Sequence, residues 1–123
     1  MKLRVARHTS QLQPLIHFYT AILGLEVIGG FNDHAGYNGI FIGGENAAWH
    51  LEFTESPEPP LHQSDEDDLL VFYVHVEEYN SIIEKATQNN VKRVVSKNPY
   101  WEEIGITLLD PDGFRIVISL EKI

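Results

Sequence analysis

His50 and Glu52 stand two apart in the run Trp49-His50-Leu51-Glu52-Phe53. In an extended chain that spacing puts both side chains on one face, so an imidazole and a carboxylate reach the same ligand. Two chemistries are open to such a pair. A glutamate can orient an imidazole for general-base work, and both groups carry lone pairs for a metal ion. By strand parity His8 and His75 share that face and would complete an alternative metal set. No nucleophile accompanies the pair. Ser119 has the right parity but no recognisable base partner, and the chain has no cysteine, which also removes thiolate zinc sites and a disulfide framework.

Other residues raise further alternatives. Tyr100 and Trp101 precede a strand, where an aromatic pair either roofs a pocket and stacks on a flat ligand or plugs the sheet end or an interface. Tyr37 and Phe41 raise the same question. Asp33-His34 followed by Gly36 reads as a loop that could rim a site. The carboxylates of Asp110-Pro111-Asp112-Gly113 serve turn geometry. Gly29–Gly30 and Gly43–Gly44 lack the strand-to-helix setting of a phosphate loop and read as turns.

The chain that must position these groups has 123 residues, of which 43% are hydrophobic and 22% charged. That is the size and composition of one globular domain with a core of its own. The net charge is −9, which repels phosphate backbones and anionic membrane surfaces and favours cationic ligands. Nucleic acid and membrane are therefore not expected partners. The first seven residues are strand-like and charged, with no apolar signal stretch, and no apolar run is long enough to span a bilayer. A cytoplasmic location is the expectation.

The pattern of elements occurs twice. Residues 3–9 alternate as a strand. Ser10 with Gln13 has capping-box spacing, and Leu12, Leu15, Ile16, Tyr19, Ile22 and Leu23 recur as a helix that Gly24 stops. Strands follow at 25–31, 37–42 and 48–54. Residues 55–68 hold three prolines and six acids and read as a solvated linker. Then come a strand at 69–76, a helix around Tyr79, Ile82, Ile83 and Ala86, and strands at 91–95, 104–109 and 114–120. The order is β-α-β-β-β in each half, giving module 1 at 1–54 and module 2 at 69–123 of a single α+β domain.

Parity sorts the side chains of the outer strands. Trp49, Leu51 and Phe53 face the helix, and His50, Glu52 and Thr54 face away. Phe72, Val74 and Val76 oppose Leu69, Val71, Tyr73 and His75, and Phe114, Ile116, Ile118 and Leu120 oppose Arg115, Val117 and Ser119. The apolar faces pack under the helices. The mixed faces are either exposed to solvent or, on a curved sheet, gathered into a ligand cleft.

The tandem plan resembles the vicinal-oxygen-chelate superfamily, which includes glyoxalase I, extradiol dioxygenases, fosfomycin-resistance enzymes and bleomycin-resistance proteins. The resemblance is carried by Phe18-Tyr19 with Leu23-Gly24-Leu25, by His50-Leu51-Glu52-Phe53, by Asn98-Pro99-Tyr100-Trp101 and by Asp110-Pro111-Asp112-Gly113. It implies a curved, half-open eight-stranded mixed sheet with helices outside, often completed by homodimerisation. It also implies four metal-ligand positions, which fall here on Arg4, Glu52, Leu69 and Val117. Only Glu52 can donate a lone pair to a cation, and His8 and His75 lie away from that centre. An Arg4–Glu52 ion pair is expected to fill the space of the ion.

The resulting expectation is a glyoxalase- or bleomycin-resistance-like protein that binds a small organic molecule without metal or other cofactor. Arg4, His50, Glu52, Tyr73 and Arg115 would supply polar contacts, and Phe41, Tyr100 and Trp101 stacking. The alternatives are a superfamily lyase or dioxygenase using Glu52 with an unconventional ligand set, and a non-catalytic dimeric scaffold.

Overall fold

A computed structural model describes residues 1–44 and 46–121. The chain divides into two compact units, Met1–His62 and Gln63–Ile123. Each repeats strand, helix and three strands.

The first unit consists of β1 (Leu3–His8), α1 (Leu12–His17), β2 (Glu26–His34), β3 (Tyr37–Gly43) and β4 (Trp49–Glu55). The sheet order is β1-β4-β3-β2. β1 pairs with β4 in parallel, and β4, β3 and β2 are antiparallel neighbours. Helix-facing Leu51 and Phe53 pack with Leu12, Leu15, Tyr19 and Ile42 in the core, and the rings of Tyr19 and Phe53 lie 4.9 Å apart. Burying side chains of this size stabilises the unit by about 1.5–3 kcal/mol each.

The helix departs from its sequence pattern at both ends. Gln11, not Ser10, occupies the cap and makes no side-chain cap bond. The expected capping box is absent because other acceptors serve this end. Thr9 Oγ1 accepts from Gln11 N at 3.0 Å, and Glu55 Oε2 accepts from Leu12 N at 3.2 Å. Downstream, α1 widens into a π-helical turn, Phe18–Ile22. Thr20 Oγ1 donates to Ile16 O at 2.6 Å, and Leu23 N reaches back five residues to Phe18 O. A threonine hydroxyl competing for the i−4 carbonyl favours that loosening. Gly24 ends the helix at φ +78, a conformation that suits glycine.

Gly29 and Gly30 are not a turn. They lie inside β2, opposite Phe41 and Ile40. A Cβ on Gly30 would stand 2.7 Å from Gly39 O, and one on Gly29 3.0 Å from the Phe41 ring. The glycines are therefore there for close approach inside a strand. The reversal comes at Ala35 and Gly36, with φ values of +52 and +87.

The second unit consists of β5 (Leu69–Val74), α2 (Val76–Gln88), β6 (Arg93–Val94), β7 (Gly105–Leu109) and β8 (Arg115–Leu120), in sheet order β5-β8-β7-β6. β5 and β8 are parallel. The strand expected to run to residue 76 stops at Val74, because His75 caps α2, and β6 is shorter than its apolar run. Ile82 and Ala86 of α2 are buried, as are Ile106, Leu108, Ile116 and Ile118 on the strands. Asp110 Oδ1 accepts from Asp112 N at 2.9 Å and Phe114 N at 3.0 Å, which makes its carboxylate the keystone of the β7–β8 turn. The eight strands are hydrogen-bonded as two four-stranded mixed sheets. No helix among the described residues is long and apolar enough to cross a membrane.

Candidate functional site

The parallel register of β1 on β4 sets Arg4 opposite His50 and Ala6 opposite Glu52. Alternation then puts Arg4, His50 and Glu52 on one face, away from α1. Arg4 Nε donates to His50 Nε2 at 2.8 Å, and Arg4 Nη1 lies 3.1 Å from Glu52 Oε2. The Arg4–Glu52 pair expected from sequence is present, and His50 joins it as a third member.

Phe41, opposite Glu52 on β3, completes the cluster. The Arg4 guanidinium carbon sits 4.6 Å from the Phe41 ring centroid, a cation–π distance. The Phe41 ring is edge-on to His50 at 6.1 Å and tilted against Phe31 at 5.9 Å. Phe31 is a member that the sequence reading did not single out. Its signal was Gly39, two residues before Phe41: the Phe31 ring covers that glycine so closely that a Cβ there would lie 2.4 Å from two ring carbons.

Polarity within the cluster is ordered. Arginine Nε–H can only donate, so His50 Nε2 accepts and the neutral ring carries its proton on Nδ1. His50 is buried, and its Nδ1 has no hydrogen-bond partner among the described residues. The Arg4 side chain is 49% exposed and that of Glu52 only 15%. The accessible polar edge of the cluster is therefore the guanidinium.

The other histidines do not join. His8 Nδ1 is 2.8 Å from Thr54 Oγ1, and its Nε2 is 3.0 Å from both Ser56 Oγ and Glu58 O. His62 Nε2 reaches His8 O at 2.9 Å, so two imidazoles tie the start of the linker to β1. His75 Nδ1 pairs with Glu121 Oε2 at 3.0 Å. His8 and His75, the histidines of the alternative metal set, thus each have a local partner of their own.

The remaining sequence candidates belong to the second unit. Tyr73 projects outward from β5 and is well exposed. Tyr100 and Trp101 lie in a 3-10 turn, Pro99–Glu102, packed edge to face at 4.9 Å. Arg115 donates to Val95 O at 3.3 Å and stands 3.8 Å from Glu66 of the acidic linker. Asp33 and Gly36, expected as a rim, line an open groove of about 540 Å³ with Ser10, Asn38, Glu55 and Pro57.

The divalent cation that the resemblance implies does not fit these residues. Leu69 and Val117 have no lone pair, Arg4 is a cation itself, and the Nε2 lone pair of His50 and one Glu52 oxygen are already occupied by it. Among the described residues no group of three or more histidine, aspartate or glutamate side chains is placed to hold a metal ion.

Comparison with known proteins matches both halves. The model of the YycE-like N-terminal domain covers residues 3–54, and that of the YycE-like C-terminal domain residues 67–119. An uncharacterized protein YycE of Bacillus subtilis (strain 168) is 43% identical over 126 residues, spanning 98% of this chain and 88% of the relative. The crystal structure of a Bacillus subtilis YycE protein of unknown function superimposes with a TM-score of 0.84 at 41% identity, covering 98% and 90% of the two chains. Glyoxalase I of Leishmania major gives a TM-score of 0.78 at 20% identity, over 98% of this chain and 86% of that one. Fosfomycin resistance protein FosX of Mesorhizobium loti gives 0.72 at 7% identity, over 98% and 90%. The last two are likenesses of fold.

Proposed function

The chain belongs to the YycE-like family, within the vicinal-oxygen-chelate fold, and on that premise we propose that it binds a small organic molecule on the Arg4–His50–Glu52 face without a metal ion. The observation that carries this reading is the guanidinium of Arg4. It engages His50 Nε2 and Glu52 Oε2, the lone pairs that an ion on this face would need. A charge-neutral cluster edged by Phe41 and Phe31 is a polar anchor beside apolar surface, the usual form of a small-molecule site. Tyr73, Tyr100, Trp101 and Arg115 are the contacts we assign to the second unit.

The test is metal content of the purified protein, with thermal unfolding against nickel, zinc, manganese, iron(II) and magnesium. The expected result is less than stoichiometric metal and no saturable rise in melting temperature. A stoichiometric metal, or a rise that saturates with concentration, overturns the reading and supports a superfamily enzyme using Glu52.

We further propose that the protein acts in the cytoplasm as a homodimer. Leu3 and Val5 on edge strand β1 are both exposed, as an apolar strand edge awaiting a partner would be. Light scattering at micromolar concentration should give twice the chain mass, and a monomer there refutes the dimer.

A further inference from the structure

On one face of the first sheet three groups touch in turn: the Gly29 backbone, the Phe41 ring and the Arg4 guanidinium, whose side chain is 49% exposed. The inner side of Phe41 rests on Gly29, where a Cβ would meet it at 3.0 Å. Its ring carries the guanidinium carbon 4.6 Å from the centroid. His50 and Glu52 engage Nε and Nη1, which leaves Nη2 outside both contacts. Phe31 extends the aromatic surface sideways. The guanidinium is thus fixed in orientation, with an exposed side and a donating edge.

Such a group takes ligands of a definite kind. A planar conjugated group stacks on a guanidinium, and a carboxylate accepts from its N–H edge. We infer that the ligand of this face is an aromatic or similarly planar monocarboxylate, its acid group on Arg4 Nη2 and its ring along Arg4 and Phe31. The inference rests on the reading of this face as a metal-independent binding site, and names its ligand class. The overall charge of −9 would suggest a cationic ligand instead. That field is screened beyond about 8 Å at physiological salt, and at contact range the accessible group is the donor, not the carboxylate of Glu52.

Sodium benzoate, benzamide and benzylamine, titrated into isotope-labelled protein, test this. The readouts are the Arg4 Nε–H signal and the Phe41 ring signals. Benzoate should shift both saturably, with a Kd on the order of 1 mM as suits a fragment of its size, and the other two should bind at least tenfold more weakly. Arg4→Lys removes the plane and the fork and should weaken benzoate at least tenfold. If that variant does not fold, Phe41→Leu serves, with a loss of about threefold expected from the missing platform. Benzamide or benzylamine binding as tightly as benzoate overturns the inference. So does benzoate binding that is absent, or that neither variant alters. Metal analysis of the same sample separates the two readings. A stoichiometric metal refutes the metal-independent site whichever probe binds, whereas metal-free protein that prefers benzylamine refutes only the carboxylate.

Discussion

Arg4 Nε donates to His50 Nε2 across 2.8 Å, and this one bond decides which nitrogen of the imidazole carries its proton. The ring is held as the Nδ1–H form, with its basic lone pair turned toward a cation and its own N–H buried without a partner among the described residues. A general base needs that lone pair free for substrate. In this geometry the Nε2 lone pair of His50 is engaged by Arg4.

The tautomer can be read directly. Nitrogen-15 spectra of imidazole-labelled protein near neutral pH should show His50 Nε2 as an unprotonated, accepting nitrogen and Nδ1 as protonated. The reverse assignment would remove the Arg4–His50 bond from the site. Glu52→Gln, which keeps the shape and removes the charge, should cost only about 0.5–1 kcal/mol in urea unfolding, because the Arg4 side chain is about half in solvent.

Arg4→His converts the cluster from a filled cation site to a vacant one. The introduced imidazole, His50 and Glu52 would offer three lone pairs on two adjacent strands. Nickel or zinc binding should appear by calorimetry with one ion per chain, and should raise stability by about 2.7 kcal/mol at a hundredfold excess over Kd. Adding Glu52→Gln should abolish it. A variant as indifferent to metal as the parent would show that these side chains cannot converge on one ion.

Gly39 is set by the ring above it. Gly39→Ala places a methyl 2.4 Å from Phe31 Cε1 and Cζ, so the phenyl must leave its position, at a cost of about 1–3 kcal/mol. Phe31→Ala in the same chain removes the obstacle. The double variant should then be more stable than the sum of the two single losses predicts, by about 1 kcal/mol in denaturant unfolding. Strict additivity would mean that the ring does not rest on this glycine.

Asp110→Ala strips two backbone N–H groups, of Asp112 and Phe114, of their acceptor. About 1–3 kcal/mol should be lost. Asp110→Asn retains an oxygen at Oδ1 and should lose less than half as much. Equal losses would place the effect in the carboxylate's charge and not in the turn.

Much of this was legible in the sequence, for reasons that can be named. Period-2 alternation places His50 and Glu52 together, and only a parallel β1–β4 register is needed to bring Arg4 to them. Asp110-Pro111-Asp112-Gly113 is read from its local chemistry alone. What escaped depends on contacts between distant residues. Ser10 has the right spacing for a cap, but Glu55, far along the chain, satisfies the helix end. Gly29–Gly30 resembles a turn because a strand glycine is defined by its neighbour across the sheet, here Phe41 and Gly39, and not by its own sequence. Phe31 is one apolar residue in an apolar run until β3 supplies the glycine beneath it.

The parallel pairing of β1 with β4 also orders events in time. β2, β3 and β4 are joined in sequence, and closing their short connections costs little chain entropy, whereas Arg4 must meet His50 across a sequence separation of 46. The strands bearing Phe31, Phe41, His50 and Glu52 can therefore assemble as a meander before the first strand docks. Docking of β1 both completes the sheet and brings the Arg4 guanidinium to the Glu52 carboxylate. Without the first strand, the meander would hold Glu52 with no guanidinium beside it, so the pairing of β1 with β4 joins the last sheet contact and the charge balance of this face in a single event.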